Sequence, residues 1–185
     1  PGTPFKPMLA KVATGMADAI GKFEKRYGKG CSFLAEYKYD GQRAMIHVSA
    51  ESGAVKIFSR NCEDCTASFP DVVETMQHVA AGRELVLDAE MVAVDTNTGA
   101  LLPFQQLSTR SRATADRKLD SADVSVAVKV FVFDLLFLGS DSLVREPLRV
   151  RRQKLVEFLS EDAIAQRRDI EMARGRLFPF RHDAE

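Results

Sequence analysis

Glu36-Tyr37-Lys38-Tyr39-Asp40-Gly41-Gln42-Arg43 is the stretch of this sequence richest in groups that could do chemistry. On a β-strand, Glu36 and Lys38 project to one face and Tyr37 to the other, so a carboxylate and an amine share a surface just before a turn at Asp40-Gly41. A lysine is a nucleophile only without its proton, which takes burial or neighbouring cations, and Arg43 beyond the turn is such a cation. The same spacing equally describes an exposed ion pair at a strand end, which would contribute little.

Cys62-Glu63-Asp64-Cys65 has the spacing of half a zinc site, but a second Cys-x-x-Cys is missing and His47, His78 and His182 show no paired ligand spacing, so zinc is not expected. Arg149, Arg151, Arg152 and Lys154 form a basic run on what should be the outer face of a helix. Such a run is either a solvated surface or a contact for a nucleic-acid backbone, with Glu146 and Glu157 diluting its charge.

The elements around these residues follow from periodicity. Met16, Ile20, Phe23 and Tyr27 predict an amphipathic helix that stops near Gly28 and Gly30, after a Pro/Gly-rich leading segment over 1–7. Ser32–Lys38, Arg43–Val48 and Val55–Ser59 read as three strands joined by turns at Asp40-Gly41 and Glu51-Ser52-Gly53, most economically an antiparallel meander. A helix is expected from Phe69-Pro70-Asp71, with Asp71 as its N-cap and Val72, Val73, Met76 and Val79 inward. Glu84–Asp95 and Val126–Leu138 read as strands, with an exposed polar connection over 114–125 between them. A helix follows at Leu148–Leu159, with Val150, Leu155, Phe158 and Leu159 inward. In the tail, Glu161–Arg174 reads as a charged helix stopped by Gly175 and Leu177–Phe180 as one more short strand. Strands and helices mix without a regular βαβ alternation, so the fold class is α+β with antiparallel sheets flanked by helices.

Length and composition bound the function. The 185 residues suit one compact unit or slightly more, large enough to bury a core without disulfides or metal. With 45% hydrophobic and 28% charged residues the chain is neither collagen-like, low-complexity nor disordered, and its apolar runs are too short to span a membrane as a helix. Lys+Arg and Asp+Glu balance at 26 each, so net charge names no partner. Three cysteines suit a reducing intracellular compartment, and an opening Pro1 suggests a piece of a longer polypeptide.

Lys38-Tyr39-Asp40-Gly41 has the Lys-x-Asp-Gly form of the covalent nucleotidyltransferases, which include DNA ligases, RNA ligases and mRNA capping enzymes. The whole run from Glu36 to Arg43 resembles the ATP-dependent DNA ligases more narrowly, above all the replicative ligase I type of eukaryotes. Further strings resemble that family in its own order: Lys6-Pro7-Met8-Leu9-Ala10, Phe58-Ser59-Arg60-Asn61, Leu87-Asp88-Ala89-Glu90, Pro103-Phe104-Gln105, Phe131-Val132-Phe133-Asp134 and Ser142-Leu143-Val144-Arg145-Glu146-Pro147-Leu148. Together they cover about residues 3–160.

The resemblance implies a ligase adenylation fold of the nucleotidyltransferase (ATP-grasp-like) type, truncated at its C-terminal end, with residues 1–185 a partial adenylation domain and no complete second domain. It implies that Lys38 attacks the α-phosphate of ATP to give lysyl-AMP, that AMP passes to the 5′-phosphate of nicked DNA, and that the nick is sealed. Glu36 would accept the adenine amine, and Arg43 and Arg60 would neutralise ribose-phosphate oxygens. Glu90, which shares a strand face with Asp88, would serve the ribose or Mg²⁺, and Phe133 would carry the purine, although Phe131 has the same parity. Asp134 is expected to face away or close a hydrogen-bond network. ATP and Mg²⁺ are the implied cofactors; nicked DNA and flanking DNA-binding and oligonucleotide-binding domains are the implied partners. The nucleus is the implied compartment, with roles in replication, repair and recombination. A Lys-x-Lys string that the family uses on the phosphates is missing and Lys154 is the only lysine after Asp134, so the chain alone should be inactive or weak. Alternatives are a capping guanylyltransferase or RNA ligase of the same superfamily, or a non-catalytic DNA-docking module.

Overall fold

A computed structural model describes residues 2–108, 110 and 126–178; the polar connection expected over 114–125 and the last two residues of the expected strand 177–180 lie outside them. Two compact units divide the chain: residues 1–6 with 39–173, and residues 7–38 with 174–185.

The larger unit is built on a sheet of six strands. Gln42–Val48 (β2) pairs antiparallel with Val55–Ser59 (β3) on one side and Leu85–Val94 (β4) on the other. Ala127–Leu138 (β5) runs antiparallel to β4, and its far edge carries Asp141–Ser142 (β6) and, in parallel, Ile170–Met172 (β7). The strand Phe33–Glu36 (β1) belongs to the smaller unit, so the three-strand meander read from sequence begins one strand later, as β2-β3, and β4 rather than β1 takes the other edge of β2.

Alternation along the strands divides the sheet into two faces. Ala44, Ile46 and Val48 of β2, with Leu85, Leu87, Ala89, Met91 and Ala93 of β4, point into the main core. That face is covered by Pro70–Ala80 (α2), through Val72, Met76 and Val79, and by Leu148–Leu159 (α4), through Leu155 and Phe158. Pro70 occupies the first turn of α2, where a missing N–H costs nothing, and the cap position belongs to Phe69. Asp71 therefore does not cap α2 as expected; its carboxylate accepts from Arg110 instead.

Val132 and Leu135 of β5 both reach this core although they are three residues apart, which a regular strand cannot do. The ladder accounts for it: Asp88 pairs with Asp134 and Ala89 with Val132, leaving Phe133 as an extra residue in a β-bulge.

The tail differs from the charged helix expected over 161–174. Only Asp162–Ala165 (α5) is helical, and Ile170 is drawn into the edge of the sheet beside Val130. An apolar residue with an open strand edge beside it overrides the weak helix pattern.

In the smaller unit, Met16–Tyr27 (α1) accompanies a two-stranded antiparallel sheet of β1 and Gly175–Phe178 (β8). The rings of Phe23, Phe33 and Phe178 stack in succession at 5.8 and 5.5 Å, which anchors Phe23 of the α1 stripe, while Met16 and Tyr27 of that stripe are exposed.

Candidate functional site

The site residues of the smaller unit stand where β1 ends. Glu36 is the last residue of β1 and pairs with Gly175 of β8. A Cβ at Gly175 would come within 2.9 Å of Glu36 Cγ and 3.0 Å of the Ala35 carbonyl oxygen, so β8 can approach here only as glycine. Lys38 lies beyond the strand and is exposed. Strand alternation therefore does not govern its direction relative to Glu36; the last backbone bond between the two strands is donated by the Tyr37 N–H to the Arg174 carbonyl at 3.0 Å.

The remaining site residues lie in the larger unit. Asp40 accepts from the backbone N–H of Phe104 at 3.0 Å, the first residue of the short helix Phe104–Ser108 (α3). That bond ties the Asp40-Gly41 turn to the Pro103-Phe104-Gln105 string, a long-range link that no local sequence pattern predicts. Gly41 follows against β4, where an added Cβ would lie 2.3 Å from the Met91 carbonyl oxygen and 3.0 Å from Glu90 Cγ.

The sheet face away from the main core collects the chemistry. Arg43 pairs across the ladder with Glu90. Its Nε and Nη2 donate to the two oxygens of Asp88 at 3.0 and 2.6 Å, a two-pronged bond. Its guanidinium lies 5.3 Å from the centre of the Phe133 ring. Hydrogen bonding to Asp88 holds the Arg43 pKa above its ordinary value. Burial pushes the Asp88 carboxyl up, and the fork of Arg43 works against that rise. Asp88 is thus committed to Arg43, and Glu90, opposite Arg43 on the ladder, is the second carboxylate of this strand face.

The two phenylalanines of β5, equivalent by parity, are separated by the fold. Phe131 is 2% exposed, with Tyr39 stacked on it at 4.0 Å between centroids. Phe133, turned by the bulge, is only half-buried. Asp134 next to it closes a hydrogen-bond network: Arg151 donates to both its oxygens at 2.8 Å. Arg151 and Arg152 are half-buried and bonded to β5, so the basic run of α4 does not lie wholly outward as expected. Arg149 is the exposed member.

Arg60 stands apart from this group. It is exposed, one residue beyond the Ala44–Ser59 pair that ends the β2-β3 ladder. Cys65 is drawn inward, donating to the Ile57 carbonyl at 3.3 Å, and burial with the nearby Asp64 pushes its thiol up to about 11. No group of three or more His, Cys, Asp or Glu able to hold a metal by itself occurs among the described residues.

The profile of the ATP dependent DNA ligase domain matches residues 7–174. DNA ligase 6 and DNA ligase 1 of Arabidopsis thaliana are 43% and 40% identical over 164 and 163 residues. Each alignment takes in 87% of this chain but only 11% and 19% of the relative, so the chain spans a minor part of those proteins. Among solved structures, mycobacterial DNA ligase D complexed with ATP and MES is similar at a TM-score of 0.57 and 26% identity, covering 78% of this chain and 40% of that one. Among the described residues no helix is long and apolar enough to cross a membrane.

Proposed function

The chain belongs to the family of ATP-dependent DNA ligase domains, and on that premise we propose that it is the adenylation part of an ATP-dependent DNA ligase, with Lys38 as the nucleophile. In this reading Lys38 Nζ, having lost a proton, attacks the α-phosphorus of ATP. A P–N bond forms, the P–O bond to the β-phosphate breaks, and pyrophosphate leaves. AMP is then passed to the 5′-phosphate of nicked DNA, and the 3′-hydroxyl displaces it as the strand is joined. By resemblance to ligase I of eukaryotes, the nucleus is the compartment proposed.

The observation that carries the reading is the grouping of Arg43, Glu90 and Phe133 on one sheet face of the larger unit. A half-buried ring with a cation over one side offers a platform of suitable size and polarity for a purine. Arg43 adds a fixed positive charge there, and Arg60, exposed and apart from this group, is proposed from the resemblance alone as a further phosphate contact. Glu36, a pure acceptor when ionised, suits the exocyclic amine of adenine and disfavours the carbonyl of guanine.

The donor set fits Mg²⁺ in the way a nucleotide carries it. Mg²⁺ characteristically takes one or two carboxylates and fills its shell with water and phosphate oxygens, so Glu90 alone is a sufficient protein contribution. When bound, the ion would neutralise charge on the transferring phosphate. The chain's own residues would do the rest: Glu90 orients, Arg43 and Phe133 hold the nucleoside, and Lys38 gives up its proton and forms the bond.

Incubating the full-length ligase with α-labelled ATP or α-labelled GTP, with Mg²⁺, tests this. Labelling by ATP alone, followed by transfer to a nicked duplex, is expected. Labelling by GTP, or nick binding with no labelling at all, would contradict the assignment.

A further inference from the structure

A bulged strand lacks the regular ladder bonds that fix its neighbours, so the orientation of Phe133 needs another source of restraint. Helix α4 supplies one. Arg151 grips both oxygens of Asp134 at 2.8 Å and donates through Nη1 to the Glu146 carbonyl at 2.6 Å. Its neighbour Arg152 donates through Nη1 to the Phe133 carbonyl at 3.0 Å. Two successive guanidiniums thus hold two successive residues of the bulge, one through its backbone and one through its side chain.

The electrostatics give the grip a second effect. Asp134 is the cross-strand partner of Asp88, and like charges facing each other on a ladder repel. Each carboxylate has its own guanidinium, Arg43 for Asp88 and Arg151 for Asp134. Without Arg151, Asp134 would compete for Arg43 and draw it away from the Phe133 ring.

We propose that Arg151 and Arg152 are positioning residues for nucleotide binding: through Asp134 and the Phe133 carbonyl they fix the bulge, so that Phe133 presents its ring and Arg43 stays over it. This rests on the reading of Phe133 as the purine platform. Neither arginine touches the nucleotide in this account; both act through β5.

The test is single-turnover self-adenylation of the full-length ligase across an ATP titration, which separates apparent ATP affinity from limiting rate. Thermal melting of each variant comes first. Arg151→Ala is expected to weaken ATP affinity by about tenfold, the scale of one base–aromatic stack, while the limiting rate stays within about twofold. Arg151→Lys keeps the charge without the fork and should fall between. Phe133→Leu should weaken ATP comparably, and adding Arg151→Ala to it should cost little more, because both remove the same contact. Should Arg151→Ala not fold, Arg151→Gln removes the two-pronged bond to Asp134 while leaving the Asp134 charge in place, and should weaken ATP in the same way. Normal ATP affinity in Arg151→Ala beside a weakened Phe133→Leu would overturn the positioning role while leaving the platform intact. An unaffected Phe133→Leu would overturn the platform reading, and this inference with it.

Discussion

Gly41 lies against Met91 so closely that a Cβ on it would sit 2.3 Å from the Met91 carbonyl oxygen. The obstacle is backbone, and the next atom is Glu90 Cγ at 3.0 Å, so any side chain at 41 displaces the β4 residue whose carboxylate is proposed to serve the ribose or Mg²⁺. Gly41→Ala should cost about 1–3 kcal/mol of stability by overpacking and should depress adenylation further through Glu90. Gly21, inside α1 with nothing within 4 Å, is the control, since alanine there should stabilise by about 0.5–1 kcal/mol. Thermal melting and adenylation rates of the two variants check both statements; a Gly41→Ala protein with unchanged melting would contradict the first.

Asp88 and Glu90 share a sheet face but should separate by phenotype. Asp88→Asn leaves Arg43 without its charge partner and should cost about 2–3 kcal/mol, less than a fully buried pair because Arg43 is partly in solvent. Glu90→Gln should adenylate at least about tenfold more slowly, with a raised Mg²⁺ requirement, a loss larger than any change in its melting accounts for. Single-turnover adenylation across a Mg²⁺ titration decides it: equal or reversed losses, after allowing for folded fraction, would refute this division of roles.

His47 predicts a pH dependence. Its Nδ1 accepts from the Gly2 N–H at 2.8 Å, so the ring is neutral with its proton on Nε2. Burial, with the Lys56 charge adding to it, pushes its pKa down from 6.5 to about 4. The unfolded chain therefore binds the extra proton first as pH falls. Stability should be full above the unfolded value and decline between pH 6.5 and about 4. Melting curves across that interval should slope in the parent and flatten in His47→Gln, which keeps an acceptor for Gly2 without titrating. An equal slope in both proteins would remove His47 as the cause.

Local pattern made most of these elements legible, and long-range pairing hid the rest. The period of Val72, Met76 and Val79 and the capping environment of Pro70 predict α2 because both act within one helix. The partner of β1 is β8, almost at the other end of the chain, and no local rule chooses that over its neighbour β2. The site divides the same way. Motif order singles out Lys38, Glu90 and Phe133 as the proposed site residues, but strand parity does not rank Phe131 against Phe133, since the bulge exists only in the ladder with β4. The inward turn of Arg151 was invisible too, because a helix carrying a basic run reads as solvated until a carboxylate such as Asp134 is placed beneath it.

The central claim is that Lys38 alone forms the covalent bond. The direct measurement is peptide mapping by mass spectrometry of the full-length ligase after incubation with ATP and Mg²⁺. The account predicts one AMP-bearing lysine, Lys38, with the adduct lost in Lys38→Ala and equally in Lys38→Arg, whose guanidinium keeps its proton at any working pH. An adduct on another lysine, or one that persists in Lys38→Ala, would contradict it.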